Sequence, residues 1–308
     1  MIVVFGSVNL DLIFPLPSLP AAGDTVLTAS MRIEPGGKGA NQAIAAARDG
    51  ARVAMAGAVG RDVLAPGALT LLRAAGVDLA RMAEVPDDVT GCAAIFVDGD
   101  GNNAIGVGSG ANRFARAAQV DDALLGPDTT LLMQMETAPA EVAALIRRAK
   151  ARGARVILNL APAGELALDT LQALDLLVVN VNEADWLGRH LRTGVNAASL
   201  RGALGVDVVR TRGGEGSELA TAGGFVRIPE HPVEPRDTTA AGDCFVGVLA
   251  AALDRGAPLV EGLHRASVAA AVCCTRWGSQ SSIPVAAETD AAFRDYDSAR
   301  PASGSEEE

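Results

Sequence analysis

The sequence is 308 residues long, 49% hydrophobic but only 3% aromatic, with a formal net charge of −11. That length suits one large α/β unit, and the scarcity of aromatics implies a core of Ala, Val, Leu and Ile, as in sheets covered by Ala-rich helices. An acidic chain without a basic cluster argues against nucleic acid and anionic membrane as partners, although main-chain N–H groups could still hold an anionic nucleotide. The four cysteines, Cys92, Cys244, Cys273 and Cys274, form neither a CxxC pair nor a zinc spacing with His190, His231 and His264. Reduced thiols are the simpler reading. No run of about 18 apolar residues offers a membrane span, and Met1 leads into a strand-like run, not a charged leader. The expectation is a soluble cytoplasmic protein.

In chain order, Ile2–Phe5 is a β-rich run ending at Gly6-Ser7 and reads as a buried strand. Asn9 and Asp11 follow at its carboxyl end, where open α/β sheets place ligand groups; both are also ordinary turn residues. Over residues 12–34 the pattern is broken by Pro15, Pro17, Pro20 and Gly23, and 26–33 then looks like strand. A second irregular strand pair, 92–97 and 103–107, surrounds Asp98-Gly99-Asp100-Gly101, a hairpin signal. Gly36-Gly37-Lys38-Gly39-Ala40-Asn41 precedes an Ala-rich helix up to Arg48. It is neither GxGxxG nor the Walker pattern, and Lys38 alone would read as a solvated loop lysine. Residues 53–56 read as strand, 57–62 as a turn, and Asp62 as an N-cap for a helix to Ala75.

Residues 130–134 form the next strand, with Glu136 just past its end, placed for a site or for capping the helix that starts near Pro139. Residues 156–159 repeat the scheme and end at Asn159. Leu176–Val179 leads into Asn180 and Glu183, whose spacing puts both on one side of a first helical turn and also fits a capping box. Residues 206–211 run into the Gly-rich turn Arg212-Gly213-Gly214-Glu215-Gly216. Asp237-Thr238-Thr239-Ala240-Ala241-Gly242-Asp243 then narrows to small residues ahead of an apolar run. The first turn of a helix leaves unpaired N–H groups and a positive dipole end, so Asp243 is well placed as a general base; Asp is also simply favoured there. A helix pair over 244–274 and a loop at 275–282 follow, and the tail over 299–308 reads as disordered.

Three stretches, GSVNLD at 6–11, GGKGANQA at 36–43 and DTTAAGD at 237–243, closely resemble the ribokinase-like (PfkB) family of sugar kinases. The resemblance runs in the same order from about residue 2 to 284. It implies a doubly wound, mostly parallel α/β domain over 1–298, with 10–35 and 90–110 forming a small β lid over the sugar. In many members the lid also pairs two subunits into a homodimer. The implied reaction is transfer of the ATP γ-phosphate to the 5-hydroxyl of D-ribose. By resemblance, Asn9, Asp11, Gly37, Lys38, Asn41 and Glu136 hold the sugar, and Ala93 and Ile105 pack on it. Asn159, Asn180, Glu183, Thr211, Gly213, Gly216 and Ser267 fall on the nucleotide side, Glu183 positioning Mg²⁺ through water. Asp243 is the implied base, with the N–H groups of Ala241 and Gly242 stabilising the transferring phosphoryl. Asp237, Thr239, Cys273, Arg276, Gly278 and Ser282 are implied around an activating monovalent cation, usually K⁺. The family's usual His or Asn on the adenine side corresponds to Ala266.

The nearest alternative is another pentose, hexose or nucleoside kinase of the family. A non-catalytic sugar-binding protein would be expected to lack Asp243, and a nicotinamide dehydrogenase is disfavoured because no GxGxxG follows the first strand.

Overall fold

Strand β1 (Ile2–Phe5) is buried along its whole length. Alternate side chains of a strand point to opposite faces, so Ile2 and Val4 enter one apolar cluster and Val3 and Phe5 another. A strand apolar on both sides needs cover on both sides, the usual situation of a parallel sheet between helices. The computed structural model, which describes residues 1–99 and 102–299, has that arrangement.

The other strands are β2 (Asn9–Pro15), β3 (Arg32–Gly36), β4 (Val53–Gly60), β5 (Asp78–Val85), β6 (Gly91–Val97), β7 (Asn103–Gly108), β8 (Thr130–Met133), β9 (Arg155–Asn159), β10 (Leu176–Val179), β11 (Asp207–Thr211), β12 (Ser217–Thr221) and β13 (Gly224–Ile228). The large sheet has the order β13-β12-β11-β10-β9-β8-β1-β4-β5. It is parallel from β11 to β5, with β12 and β13 antiparallel at one edge. The helices are α1 (Lys38–Arg48), α2 (Ala65–Ala68), α3 (Thr70–Ala74), α4 (Pro139–Ala151), α5 (Leu168–Gln172), α6 (Val181–Leu191), α7 (Ala197–Leu204), α8 (Ala241–Asp254), α9 (Leu259–Cys274) and α10 (Ala286–Ala299). α1, α8 and α9 cover one face; α4 to α7 cover the other. Truncating a fully buried residue such as Leu132 to Ala would cost about 2–5 kcal/mol.

α1 and α8 lie unusually close, because a Cβ at Gly247 would collide with the main-chain oxygen of Gln42. Small residues on both helices permit that approach and bring the start of α1 beside the start of α8. A separate four-stranded sheet, β3-β2-β6-β7, is the small β element expected over 10–35 and 90–110.

Several local expectations are corrected. The strand expected at 26–33 begins only at Arg32, and Asn9 and Asp11, expected beyond the carboxyl end of β1, lie there on β2 of the small sheet. The turn expected at 57–62 is largely a continuation of β4 to Gly60. Its glycines serve crowding: a Cβ at Gly57 would lie 2.6 Å from Gly6 O, and one at Gly60 2.5 Å from Asp88 O. The helix expected to reach Ala75 is split into α2 and α3, although Asp62 does accept the N–H groups of Leu64 and Ala65 at its start. β5, β12 and β13 were not anticipated. β6 and β7 pair antiparallel as the hairpin signal predicts, while Asp100 and Gly101 at its tip lie outside the described residues. So does the expected disordered tail from residue 300 onward, whereas Ala299 ends α10. Among the described residues no helix is long and apolar enough to cross a membrane.

Candidate active site

The site begins at the loop before α1. Gly37 has φ of 89°, and a Cβ there would lie 2.8 Å from the main-chain nitrogen of Asn9, so only glycine suits the position. With no side chain at its N-cap, α1 is capped from outside. Ser7 O accepts the Ala40 N–H (2.9 Å) and Ser7 Oγ the Gly39 N–H (3.2 Å). Glu136, at the end of β8, accepts the Lys38 N–H (3.0 Å) and the Ser7 hydroxyl (2.5 Å). Its carboxylate therefore caps α1, not the helix starting at Pro139.

Above this loop is a cavity of about 620 Å³, lined by Asn9, Lys38, Ile105, Asn112, Glu136 and Thr137 among others. Asn9 is oriented by Asn112, which sequence reasoning missed. Asn112 Nδ2 donates to Asn9 Oδ1 (2.8 Å) and to Val8 O (3.1 Å), and Asn112 Oδ1 accepts the Val8 N–H (2.9 Å). Asp11 lies opposite Ala93 and Glu34 in the small sheet. Its Oδ1 is buried with no hydrogen-bond partner, as is the Thr137 hydroxyl of the cavity wall. Burial, followed by the charges of Glu136, Glu34 and Asp243, pushes the Asp11 carboxyl up to about 7. Thr137 lines the larger cavity, whereas the structure does not bring Asp11, Gly37, Asn41 or Ala93 to its wall.

A second cavity of about 210 Å³ is lined by Lys38, Asn159, Asn180, Glu183, Thr211, Gly242 and Asp243, with others. Lys38 lines both cavities. Asp243 is the main cause that pushes its ammonium pKa up, against the effect of burial. Asn180 and Glu183 form the capping box of α6: Glu183 accepts the Asn180 N–H (2.8 Å) and Nδ2 (2.9 Å), and Asn180 Oδ1 accepts the Glu183 N–H (2.9 Å). Burial raises the Glu183 carboxyl above its ordinary value. The structure does not bring Gly213, Gly216 or Ser267 to the walls of this cavity. Ala266, on α9, is wholly buried in the apolar cluster and lines neither cavity.

Asp243 sits in the first turn of α8 behind Ala240, which adopts a left-handed φ of 59°. Its two carboxylate oxygens are each held by an amide. Asn41 Nδ2 donates to Oδ2 (2.8 Å), and Gln42 Nε2 donates to Oδ1 (2.9 Å). Asn41 is thus spent on the carboxylate at one end, and its Oδ1 accepts from Ser279 Oγ at 3.4 Å. The Ala241 N–H is engaged by Thr238 O (3.2 Å). Gly242, the next residue, is exposed, and its N–H has no acceptor one turn back.

Asp237 links two turns beside this helix, accepting the Thr239 N–H (2.9 Å) and the Gly278 N–H (3.1 Å). The Cys273 thiol lies 3.0 Å from Ser282 Oγ, which donates to Ser279 O (2.7 Å). Arg276 turns its side chain to Glu288 (2.7 Å), leaving only its main chain toward the loop. Among the described residues no group of three or more His, Cys, Asp or Glu could hold a metal ion. A single hard carboxylate, that of Asp237, suits a monovalent cation better than a transition metal.

Residues 1–286 match the model of the pfkB family of carbohydrate kinases. The chain is 35% identical to a ribokinase of Haemophilus influenzae over 293 residues, covering 93% of this chain and 96% of that one. It is 32% identical to a deoxyribokinase of Salmonella typhimurium over 293 residues, with 92% and 95% covered. The structure of Arabidopsis thaliana ribokinase complexed with ribose and ATP superposes with a TM-score of 0.85 at 27% identity, over 95% of this chain and 98% of that one. The chain belongs to the pfkB family and is an ATP-dependent carbohydrate kinase.

Proposed function

We propose that this kinase transfers the γ-phosphoryl group of ATP to the 5-hydroxyl of D-ribose, giving ribose 5-phosphate. The observation that carries this reading is the junction of the two cavities, where Lys38 is shared and Asp243 stands beside it. The larger cavity would take the sugar. Asn9 offers an oriented amide, Glu136 a carboxylate for hydroxyls and Ile105 apolar contact, while Asp11, Gly37 and Ala93, behind the wall, would meet the sugar only as the small sheet closes on it. The smaller cavity would take the phosphates, against Asn159, Asn180, Glu183 and Thr211.

In this reading Asp243 accepts the proton of the 5-hydroxyl as its oxygen attacks the γ-phosphorus. The new O–P bond forms as the bond to the β,γ-bridging oxygen breaks, and ADP leaves with that electron pair. Lys38 and the free N–H of Gly242 lie where charge builds on the transferring group. Glu183, with both oxygens already engaged by Asn180, fits an outer place in the water shell of Mg²⁺, which when bound neutralises phosphate charge. Asp237, whose carboxylate ties together the turns carrying Thr239 and Gly278, would hold K⁺ with oxygens drawn from Thr239, Cys273, Arg276, Gly278 and Ser282 and steady the loop beside α8. The small sheet would act as a lid that keeps water from the phosphoryl group. Its Ile33, more than half accessible and on the face of the sheet opposite the cavity-lining Ile105 and Val107, would be covered by a second copy in a lid-paired homodimer.

ADP release with Mg·ATP and K⁺ across ribose, deoxyribose, fructose, adenosine and no sugar tests the assignment. Fastest turnover on ribose is expected. Fastest turnover on another member keeps the chemistry and overturns the ribose assignment; no turnover on any member overturns the reading.

A further inference from the structure

We propose that Gln42 is a positioning residue for the phosphoryl-transfer base, locked in its working orientation by Gln134; the proposal rests on the reading of Asp243 as that base. Gln42 is fully buried on α1 and lines neither cavity. Its two amide protons go to two acceptors, Asp243 Oδ1 (2.9 Å) and Asn159 Oδ1 (3.0 Å). Its own carbonyl accepts from Gln134 Nε2 (2.6 Å). Turning the Gln42 amide over would set its oxygen against two acceptor oxygens and its N–H₂ against the N–H₂ of Gln134. One orientation is therefore strongly preferred, and it is the one that donates to the carboxylate.

Gln134 is a full-cost element of this arrangement. It is completely buried just past β8, and its Oε1 has no hydrogen-bond partner. A Cβ at Gly6 would collide with that oxygen, so the first strand ends in a glycine where this amide needs space. An unpaired buried carbonyl is destabilising. Its neighbouring Nε2 nevertheless holds Gln42.

Consecutive residues of α1 thus hold the two oxygens of one carboxylate, Asn41 on Oδ2 and Gln42 on Oδ1. Rotation of the carboxylate is arrested, while each oxygen keeps a further lone pair with which to meet a hydroxyl proton. Because Gln42 does not face either ligand cavity, its loss is expected in the chemical step and not in sugar affinity.

The test compares Gln42→Met, Gln134→Met and the double variant in the full chain. For whichever panel sugar turns over, it measures kcat, KM and the sugar Kd by calorimetry without nucleotide. The expected result for Gln42→Met is a fall in kcat of about 10- to 100-fold, with KM and Kd within about twofold. Gln134→Met should lower kcat by a smaller factor, and the double variant should be no slower than Gln42→Met within about twofold, because Gln134 acts through Gln42. Unchanged kcat in Gln42→Met, losses that multiply in the double variant, or an effect confined to KM would overturn the proposal. If Gln42→Met does not fold, Gln134→Met alone decides: unchanged kcat overturns it. Asp243→Asn run alongside separates the two readings. Retained turnover there removes the base assignment itself, whereas its loss beside an unaffected Gln42→Met removes only the present inference.

Discussion

Asn41 and Asp243 stand 202 positions apart in the chain and meet through a 2.8 Å hydrogen bond from the Asn41 amide to the carboxylate. The contact depends on how closely α1 and α8 pack, and that closeness depends on Gly247 lying against Gln42. Gly247→Val inserts atoms where a Cβ alone collides with main chain. We expect a loss of roughly 1–3 kcal/mol in chemical denaturation and a fall in kcat larger than any change in sugar Kd. Wild-type stability would show that the helices separate without cost.

The protonation of Asp11 should govern both stability and sugar binding. Its folded-state carboxyl is pushed up to about 7 from an ordinary 3.8 by burial and by Glu136, Glu34 and Asp243. Between those values the folded chain holds a proton that the unfolded chain has lost, so this group makes stability fall as pH rises from about 4 to 7. Asp11→Asn should accordingly stabilise the sugar-free protein at pH 8, by roughly 1–4 kcal/mol, and do nothing at pH 3. In the proposed reading sugar hydroxyls would donate to the ionised carboxylate. Calorimetry should then show affinity rising through pH 7 to a plateau, with proton release on binding below it.

Glu136 joins a cavity wall to the start of α1. Glu136→Ala would leave the Lys38 N–H and the Ser7 hydroxyl without their acceptor. Thermal or urea unfolding should register a loss of about 1–3 kcal/mol, and sugar affinity should fall as well. Weakened binding with intact stability would make Glu136 a ligand contact alone.

Ala240 holds a left-handed φ of 59° just before α8. An L-residue pays about 1–2 kcal/mol for that conformation and glycine does not. Ala240→Gly should therefore raise stability, by about 0.5–1 kcal/mol after the greater freedom of glycine in the unfolded chain is counted. A drop in stability would mean that the Ala240 methyl has a packing role.

What the sequence revealed followed the span of its signals. The contiguous motifs at 36–43 and 237–243 are read within one stretch, and both of their helices, α1 and α8, start where the motifs place them. The large sheet was legible through β1, β8, β9 and β10, short apolar runs with turn residues behind them. β5 was not, because its half-buried alternation along an edge resembles solvated loop. Gly57 and Gly60 read as turn residues because crowding by Gly6 and Asp88 is invisible before folding. The same holds for the cap of α1, whose partners Ser7 and Glu136 come from two other strand ends. Asn112, Gln42 and Gln134 were missed in a different way. Each is an amide in an otherwise small or apolar setting, and two carboxamides buried within Ala-rich helix and apolar strand were the available signal.

In the proposed reaction Asp243 takes the proton of the attacking sugar hydroxyl. The most direct measurement is ADP release by Asp243→Asn against wild type at saturating ribose, Mg·ATP and K⁺, with ribose Kd from calorimetry on both proteins. We expect turnover reduced by about 10²–10⁴-fold with ribose Kd within about threefold of wild type. Turnover within a few-fold of wild type, in a variant that still binds ribose, would contradict it.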